Sequence, residues 1–277
     1  MTKNHNTIDL IINTKYNRKL NYLRISVTDR CNLRCTYCMP AEGVPHMDHK
    51  EILSFDEIVD VVKFGVSIGI NKVRLTGGEP LVRRGIVDLV RMIWNVKGIT
   101  DLSMTTNAIL LDKYAVDLKE AGLQRLNISL DTLDAEKFKE VSRGGDINQV
   151  FNGIAAAKKA GLTPIKINCV IWESSKEENA QAVAKYCENN DLKIRFIHQM
   201  NLKTGEFSVV EGGDGGNCKQ CNRLRLTASG DIKPCLFSDL SYNVRKLGVE
   251  EAFNQAIGNK PKVGTYNKSG DFYNIGG

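Results

Sequence analysis

Asp29-Arg30-Cys31-Asn32-Leu33-Arg34-Cys35-Thr36-Tyr37-Cys38 carries three cysteines in the spacing C-x3-C-x2-C. It follows an apolar run, Tyr22–Val27, that reads as a strand. Parallel α/β enzymes build their sites at the carboxyl ends of strands, so this loop is where chemistry is expected. Three thiolates this close can wrap one corner of a cubane iron–sulfur cluster, and the remaining iron is then open to a small molecule. Five more strand candidates follow: Lys72–Leu75, Asp101–Thr105, Arg125–Leu130, Ile165–Ile171 and Lys193–Ile197. Amphipathic helical patterns lie between them. Ser54-Phe55-Asp56-Glu57 is a capping box that opens a helix with Ile58, Val61, Val62 and Phe64 as its apolar positions. Ser175-Lys176-Glu177-Glu178 has the same form. Leu111–Ala121 and Ile147–Ala160 are helical patterns, each ended by a glycine. Six strands separated by helices imply a parallel sheet with right-handed crossovers. A curled, incomplete barrel and a flat doubly wound sheet both satisfy that pattern.

A second triplet, Cys218, Cys221 and Cys235, has the spacing C-x2-C-x13-C. A glycine-rich stretch from Gly205 to Gly216 precedes it and reads as a linker or tight loop. The division expected is therefore 1–200 for the αβ part and 201–277 for a small module that needs a metal centre to fold. Each triplet also admits zinc with a fourth ligand from elsewhere; for the first that ligand would be His46 or His49. Cys169 in an apolar strand and Cys187 in a helix read as small buried hydrophobes.

The chain has 277 residues and a net charge of +6, from 38 Lys and Arg against 32 Asp and Glu. That mild basic excess suits an anionic ligand such as a polyphosphate and does not call for nucleic acid. No signal peptide is read at the N-terminus, and no apolar run is long enough to span a membrane. The expected location is the reducing cytoplasm, where clustered cysteines are metal ligands rather than disulfides.

C-x3-C-x2-C with an aromatic residue before the last Cys resembles the signature of the radical S-adenosylmethionine (SAM) superfamily. Gly77-Gly78-Glu79-Pro80 resembles that superfamily's motif for the SAM amino group. The second triplet stands with Cys221-Asn222-Arg223-Leu224-Arg225-Leu226-Thr227, Leu23-Arg24-Ile25-Ser26-Val27-Thr28-Asp29-Arg30 and Ile275-Gly276-Gly277. Together these closely resemble the GTP 3′,8-cyclase family (molybdenum cofactor biosynthesis protein A). The resemblance implies an α/β fold: a partial (β/α)6 TIM-like barrel with a small C-terminal iron–sulfur module. It implies two [4Fe-4S] clusters, on Cys31, Cys35 and Cys38 and on Cys218, Cys221 and Cys235, together with SAM. It implies SAM contacts at Tyr37, Gly78, Ser129 and Met200. It implies GTP contacts at Arg24, Arg74, Thr105, Lys166, Arg223 and Arg225, the last two also catalytic together with the Gly276-Gly277 tail. The implied reaction takes the 3′ hydrogen of GTP with a 5′-deoxyadenosyl radical and closes the ribose onto C8 of guanine. The implied partners are a flavodoxin- or ferredoxin-type low-potential electron donor, cyclic pyranopterin monophosphate synthase downstream, and a second copy in a homodimer.

Without the resemblance these residues have plainer readings. Arg24, Arg74 and Lys166 alternate with apolar neighbours and could face solvent, Ser129 could bond a neighbouring backbone group, and Met200 could fill a core. Two other functions stay open: a radical SAM enzyme acting on another substrate, such as a peptide, with the second cluster relaying electrons; and a non-catalytic metal protein that binds nucleic acid. The Gly-Gly-Glu-Pro loop argues against the latter. The chain departs from the family in three places. Only 17 residues separate Met200 from Cys218, His198 stands where Glu is usual, and a Met common before the final Ile-Gly-Gly is missing.

Overall fold

The strand residues alternate strictly, and the alternation decides the architecture. In a computed structural model, which describes residues 15–268, six parallel strands run in the order of the chain: β1 Tyr22–Ser26, β2 Lys72–Thr76, β3 Asp101–Thr106, β4 Arg125–Ser129, β5 Ile165–Ile171 and β6 Lys193–His198. Leu23 and Ile25, Val73 and Leu75, Leu102 and Met104, Leu126 and Ile128, and Ile165, Ile167 and Ile171 face one core under the helices. The intervening positions (Arg24, Arg74, Thr105, Ser129, Asn168, Arg195) line two clefts on the other face. Closed barrels fill that interior with branched apolar side chains. Polar side chains there mark a sheet curled around a cavity, which settles the choice in favour of the partial barrel.

The helices that cover the outer face are α1 Phe55–Ser67, α2 Ile86–Trp94, α3 Leu111–Glu120, α4 Ala135–Ser142, α5 Ile147–Lys159 and α6 Glu178–Asn189. Ser54 caps α1 as expected: its hydroxyl accepts from the Glu57 amide, and the Glu57 carboxylate accepts from the Ser54 amide at 2.7 Å. The second capping box does not form. Helix α6 starts at Glu178, and no side chain caps it. The Glu177 carboxylate accepts instead from the amides of Trp172, Glu173 and Ser174, in the loop after β5. The helix starts later than the box requires, and Glu178, the acidic member of the box, is the first helical residue instead of the third.

Three further strands extend the sheet beyond β1: β7 Arg223–Leu226, β8 Asp231–Lys233 and β9 Tyr242–Asn243, followed by α7 Val244–Leu247 and α8 Val249–Gly258. β7 runs parallel to β1, whereas β8 and β9 are antiparallel. Leu224, Leu226, Ile232 and Phe253 join the main core. Leu202, Leu236 and Phe237 form a second small cluster beside Cys235. The 17-residue segment after Met200 reaches this position with one bridge back to β6, Phe196 to Glu211. The second triplet therefore stands next to β1 and not at the end of a free linker.

Candidate active site

The loop after β1 is built from backbone contacts. Cys38 and Met39 donate their amides to the Cys35 carbonyl, so one tight turn sets Cys35 and Cys38 on the same side. Helix α4 holds this turn from outside. The Arg34 and Thr36 amides donate to the carbonyls of Ser142 and Val141, and the Arg143 guanidinium donates to Arg34 O at 2.8 Å and Met39 O at 2.7 Å. The Tyr37 hydroxyl donates to the half-buried Asp131 carboxylate at 2.8 Å, whose other oxygen accepts the Val170 amide. Burial pushes Asp131 up to about 6. Burial also pushes the Cys31 and Cys35 thiols up to about 12 and Cys38 to about 11.

The loop after β2 approaches closely because it has no side chains there. A Cβ on Gly77 would lie 2.7 Å from Thr28 O, and one on Gly78 would lie 2.3 Å from Arg30 O. Glu79 is fully buried and takes the Leu81 amide, the Thr106 hydroxyl and the Asn107 amide. Burial outweighs those bonds and raises its carboxyl to about 7. Asn107 in turn donates to Asn32 beside Cys31. The three cysteines, the two glycines, Tyr37, Ser129 and Met200 line a cleft of about 1100 Å³.

A second cleft of about 1040 Å³ adjoins it, sharing Asn168, Ile197 and Met200 as common wall. Its character is cationic. Arg225, Arg24 and Arg74 lie in register across β7, β1 and β2, and each is under 10 % exposed (7, 8 and 6 %). Arg195 and Arg223 join them on the lining. Burial brings Arg74 down to about 9, and burial with neighbouring arginine charge lowers Arg24 and Arg225. Nε of Arg24 and Nε of Arg223 are buried without a hydrogen-bond partner among the described residues. Stacked like charges with idle donors destabilise the free protein, and an anion in the cleft satisfies both. Cys218, Cys221 and Cys235 line the same cleft. Burial opposes the Cys221 thiolate, but Lys260 and Arg223 outweigh it and bring that thiol down to about 7.

Residues 25–187 match the radical SAM superfamily. The chain is 39 % identical to the GTP 3′,8-cyclase of Alkaliphilus oremlandii (strain OhILAs), in a match covering 89 % of this chain and 92 % of that protein. It is 41 % identical to the GTP 3′,8-cyclase of Thermodesulfovibrio yellowstonii, with coverages of 84 and 86 %. The chain belongs to the GTP 3′,8-cyclase family of radical SAM enzymes. Its fold is shared more widely. Streptococcus suis SuiB bound to its precursor peptide SuiA superposes with a TM-score of 0.64 at 18 % identity, covering 90 % of this chain and 67 % of that one.

Radical SAM chemistry requires an iron–sulfur cluster and SAM, and the first cleft fits both. Its donor set is three thiolates, and Gly77 and Gly78 leave room where a Cβ would clash. Among the described residues no three His, Cys, Asp or Glu side chains converge tightly enough to hold a single ion. A cubane does not need that, because each of its thiolates binds a different iron. The residues expected to contact SAM (Tyr37, Gly78, Ser129 and Met200) all line this cleft. Thr105 lines it too and lies apart from the arginines, its hydroxyl buried without a partner among the described residues. Arg24, Arg74, Arg223 and Arg225 meet in the second cleft. Lys166 is on neither lining; it is half-buried, and burial with the charges of Arg195, Arg125 and Arg74 lowers it to about 8. Gly276 and Gly277 lie outside the described residues.

Sequence reasoning missed Arg195, which lines the arginine cleft and donates to Asn127 at 3.3 Å. Its signal was the alternation in Lys193–His198, the same that marks Lys166 on β5. It also missed Asp131 and Asn107, whose roles rest on partners 94 and 75 residues away. His198 lines the first cleft with Nε2 3.4 Å from Glu211.

Proposed function

We propose that this enzyme converts GTP to 3′,8-cyclo-7,8-dihydro-GTP in molybdenum cofactor biosynthesis, with SAM in the first cleft and GTP in the second. The observation that carries the reading is the row of buried arginines beside the second triplet, one shared wall away from the first. Cys31, Cys35 and Cys38 would hold the first cluster, and a cluster bound there would supply the one-electron chemistry that radical SAM enzymes use on SAM. Cys218, Cys221 and Cys235 hold a second cluster in the module formed by residues 201–277. Gly264 suits that role, since a Cβ there would come within 3.2 Å of the Cys235 sulfur.

Arg24, Arg74, Arg195, Arg223 and Arg225 bind the triphosphate, their forks matching phosphate oxygens. Gly78 and the Glu79-anchored loop seat the SAM amino group. Tyr37, fixed by Asp131, Ser129 and Met200 complete the SAM cleft with Thr105, which reaches GTP only from that side; Lys166, on neither lining, adds its charge to that of the arginines. Asn168, Ile197 and Met200 set the spacing between the two substrates and keep bulk water from the gap. A flavodoxin- or ferredoxin-type donor supplies electrons, cyclic pyranopterin monophosphate synthase consumes the product, and the working unit is a cytoplasmic homodimer. No helix among the described residues is long and apolar enough to cross a membrane.

The test is anaerobic incubation of the reconstituted protein with SAM, reductant and GTP. The expected result is 5′-deoxyadenosine that forms only with GTP present. Equal formation without GTP overturns the substrate assignment.

A further inference from the structure

Lys260 is a lysine that water barely reaches, at 1 % exposure. It lies two residues past the end of α8 and points into the base of the second triplet. Its Nζ donates to the carbonyl of Arg223 at 2.8 Å and to that of Pro234 at 2.6 Å, and its charge favours the Cys221 thiolate. Two carbonyls thus take two of the three N–H groups of the ammonium. Arg223 is two residues after Cys221, and Pro234 is the residue before Cys235. The third cysteine is tied to the same segment: Arg18 donates to Cys218 O at 2.9 Å and to Pro261 O at 2.6 Å. All three ligand turns therefore converge on Lys260-Pro261, although they lie up to 42 residues away in the chain.

A buried ammonium is a poor choice for a purely structural staple. Two carbonyls could be satisfied by a neutral amide, and a buried charge costs stability unless an opposite charge faces it. A cluster carried by three thiolates is an anionic neighbour that makes the charge favourable. The first triplet has the opposite surroundings: the charged neighbours of Cys31 and Cys35 include Glu79 and Asp131, respectively.

We infer that Lys260 is a positioning residue for the second cluster, fixing the turns that carry its ligands and placing a positive charge behind Cys221 and Cys235. The inference rests on the reading that the second triplet holds a cluster. Its consequence is that the second cluster is easier to reduce than it would be without Lys260, because added negative charge is stabilised beside a buried cation.

The experiment compares the full chain, reconstituted anaerobically, with Lys260→Met, Lys260→Gln and a reference in which Cys218, Cys221 and Cys235 are all alanine. Iron content, the rate of iron release to a chelator, and the midpoint potential of each cluster by spectroscopic titration are measured. The SAM-induced change in the first cluster's paramagnetic signal serves as the control for folding. Wild-type protein holding no more iron than the triple-alanine reference overturns the second cluster and this inference with it. Where the wild type holds more, Lys260→Met is expected to release the second cluster about tenfold faster or more and to shift its midpoint potential negative. Lys260→Gln keeps donors for the carbonyls, so it releases iron more slowly than Lys260→Met yet shows the same negative shift. If Lys260→Met does not fold, the shift in Lys260→Gln decides. A Lys260→Gln second cluster with wild-type potential reduces Lys260 to a staple and overturns the inference, with the cluster reading intact.

Discussion

Gly78 marks the point where the two loops of the first cleft nearly touch. A methyl group there would sit 2.3 Å from Arg30 O and 2.9 Å from Asp29 O, both backbone atoms that cannot swing aside. Gly78→Ala must therefore push the Gly77–Pro80 loop away from the cysteine loop. We expect SAM affinity to fall at least about tenfold, equivalent to 1.4 kcal/mol, while GTP binding in the neighbouring cleft stays within twofold, roughly what a remote site shows. Isothermal titration with each ligand separately reads both; equal losses for the two would mean that the substitution damages the whole barrel. Glu79, one residue on, is held by three donors yet raised by burial to about 7 from an ordinary 4.5. A raised carboxyl favours the fold fully below pH 4.5, and that contribution is lost as pH climbs to about 7. Glu79→Gln lacks this descent. The stability difference between variant and metal-free wild type should change by on the order of 3 kcal/mol across that window, read from denaturant midpoints at each pH. A difference constant with pH would remove Glu79 from the titration.

At the scale of elements, helix α4 acts as a clamp on the cysteine loop. Its last carbonyls take two amides of the loop, and Arg143, one residue past the helix, reaches the carbonyls that bracket Cys35 and Cys38. Arg143 pays for its position with a left-handed backbone, φ 54°. Arg143→Ala should lose the clamp and keep the strain. Arg143→Gly should lose the clamp and relieve about 1 kcal/mol of the strain. Both variants should release iron from the first cluster faster than wild type, with the glycine variant the more thermally stable of the two. If both keep wild-type release rates, the clamp has no hold on the ligands.

How much of this was legible depended on whether a contact is local. The six strands of the barrel and the Ser54 cap are set by residues within a few positions of each other, and they appear where the alternation and the capping box put them. Ser175 failed because the helix begins only at Glu178, so Ser175 and Glu178 do not stand at the N-cap and third helical position; spacing alone does not fix where a helix starts. Strands β7 to β9 are two to four residues long; β7 takes its register from β1 two hundred residues away and β8 and β9 pair onto it in turn, so no local pattern announced them. Both cysteine triplets were legible by spacing. The clamp, the Tyr37–Asp131 pair and Lys260 were not, because each joins segments that only the fold brings together.

For the molecule as a whole, the arginine row is where the demands of folding and binding oppose each other. Arg225, Arg24 and Arg74 occupy one level of adjacent strands, and the level continues through Ser103 to Arg125. Arg125, at the end of that level, pairs with Asp101 on the neighbouring strand at 2.6 Å. Arg24 sits in the middle of the row with arginines on both sides, and its Nε is unsatisfied. Replacing a buried, poorly compensated charge with a flexible apolar chain of similar length is commonly neutral or stabilising, by about 1 to 4 kcal/mol. Arg24→Met should therefore raise the melting temperature of the nucleotide-free protein. The same change removes a charge-assisted contact of about 1.5 to 3 kcal/mol, so GTP affinity should drop roughly tenfold to a hundredfold. GTP should stabilise the wild type against heat far more than it stabilises Arg24→Met, because only the wild type has the full row for the anion to relieve. A melting series with and without GTP tests both signs at once. A variant that is both less stable and fully able to bind GTP would show that the row serves the fold and not the nucleotide.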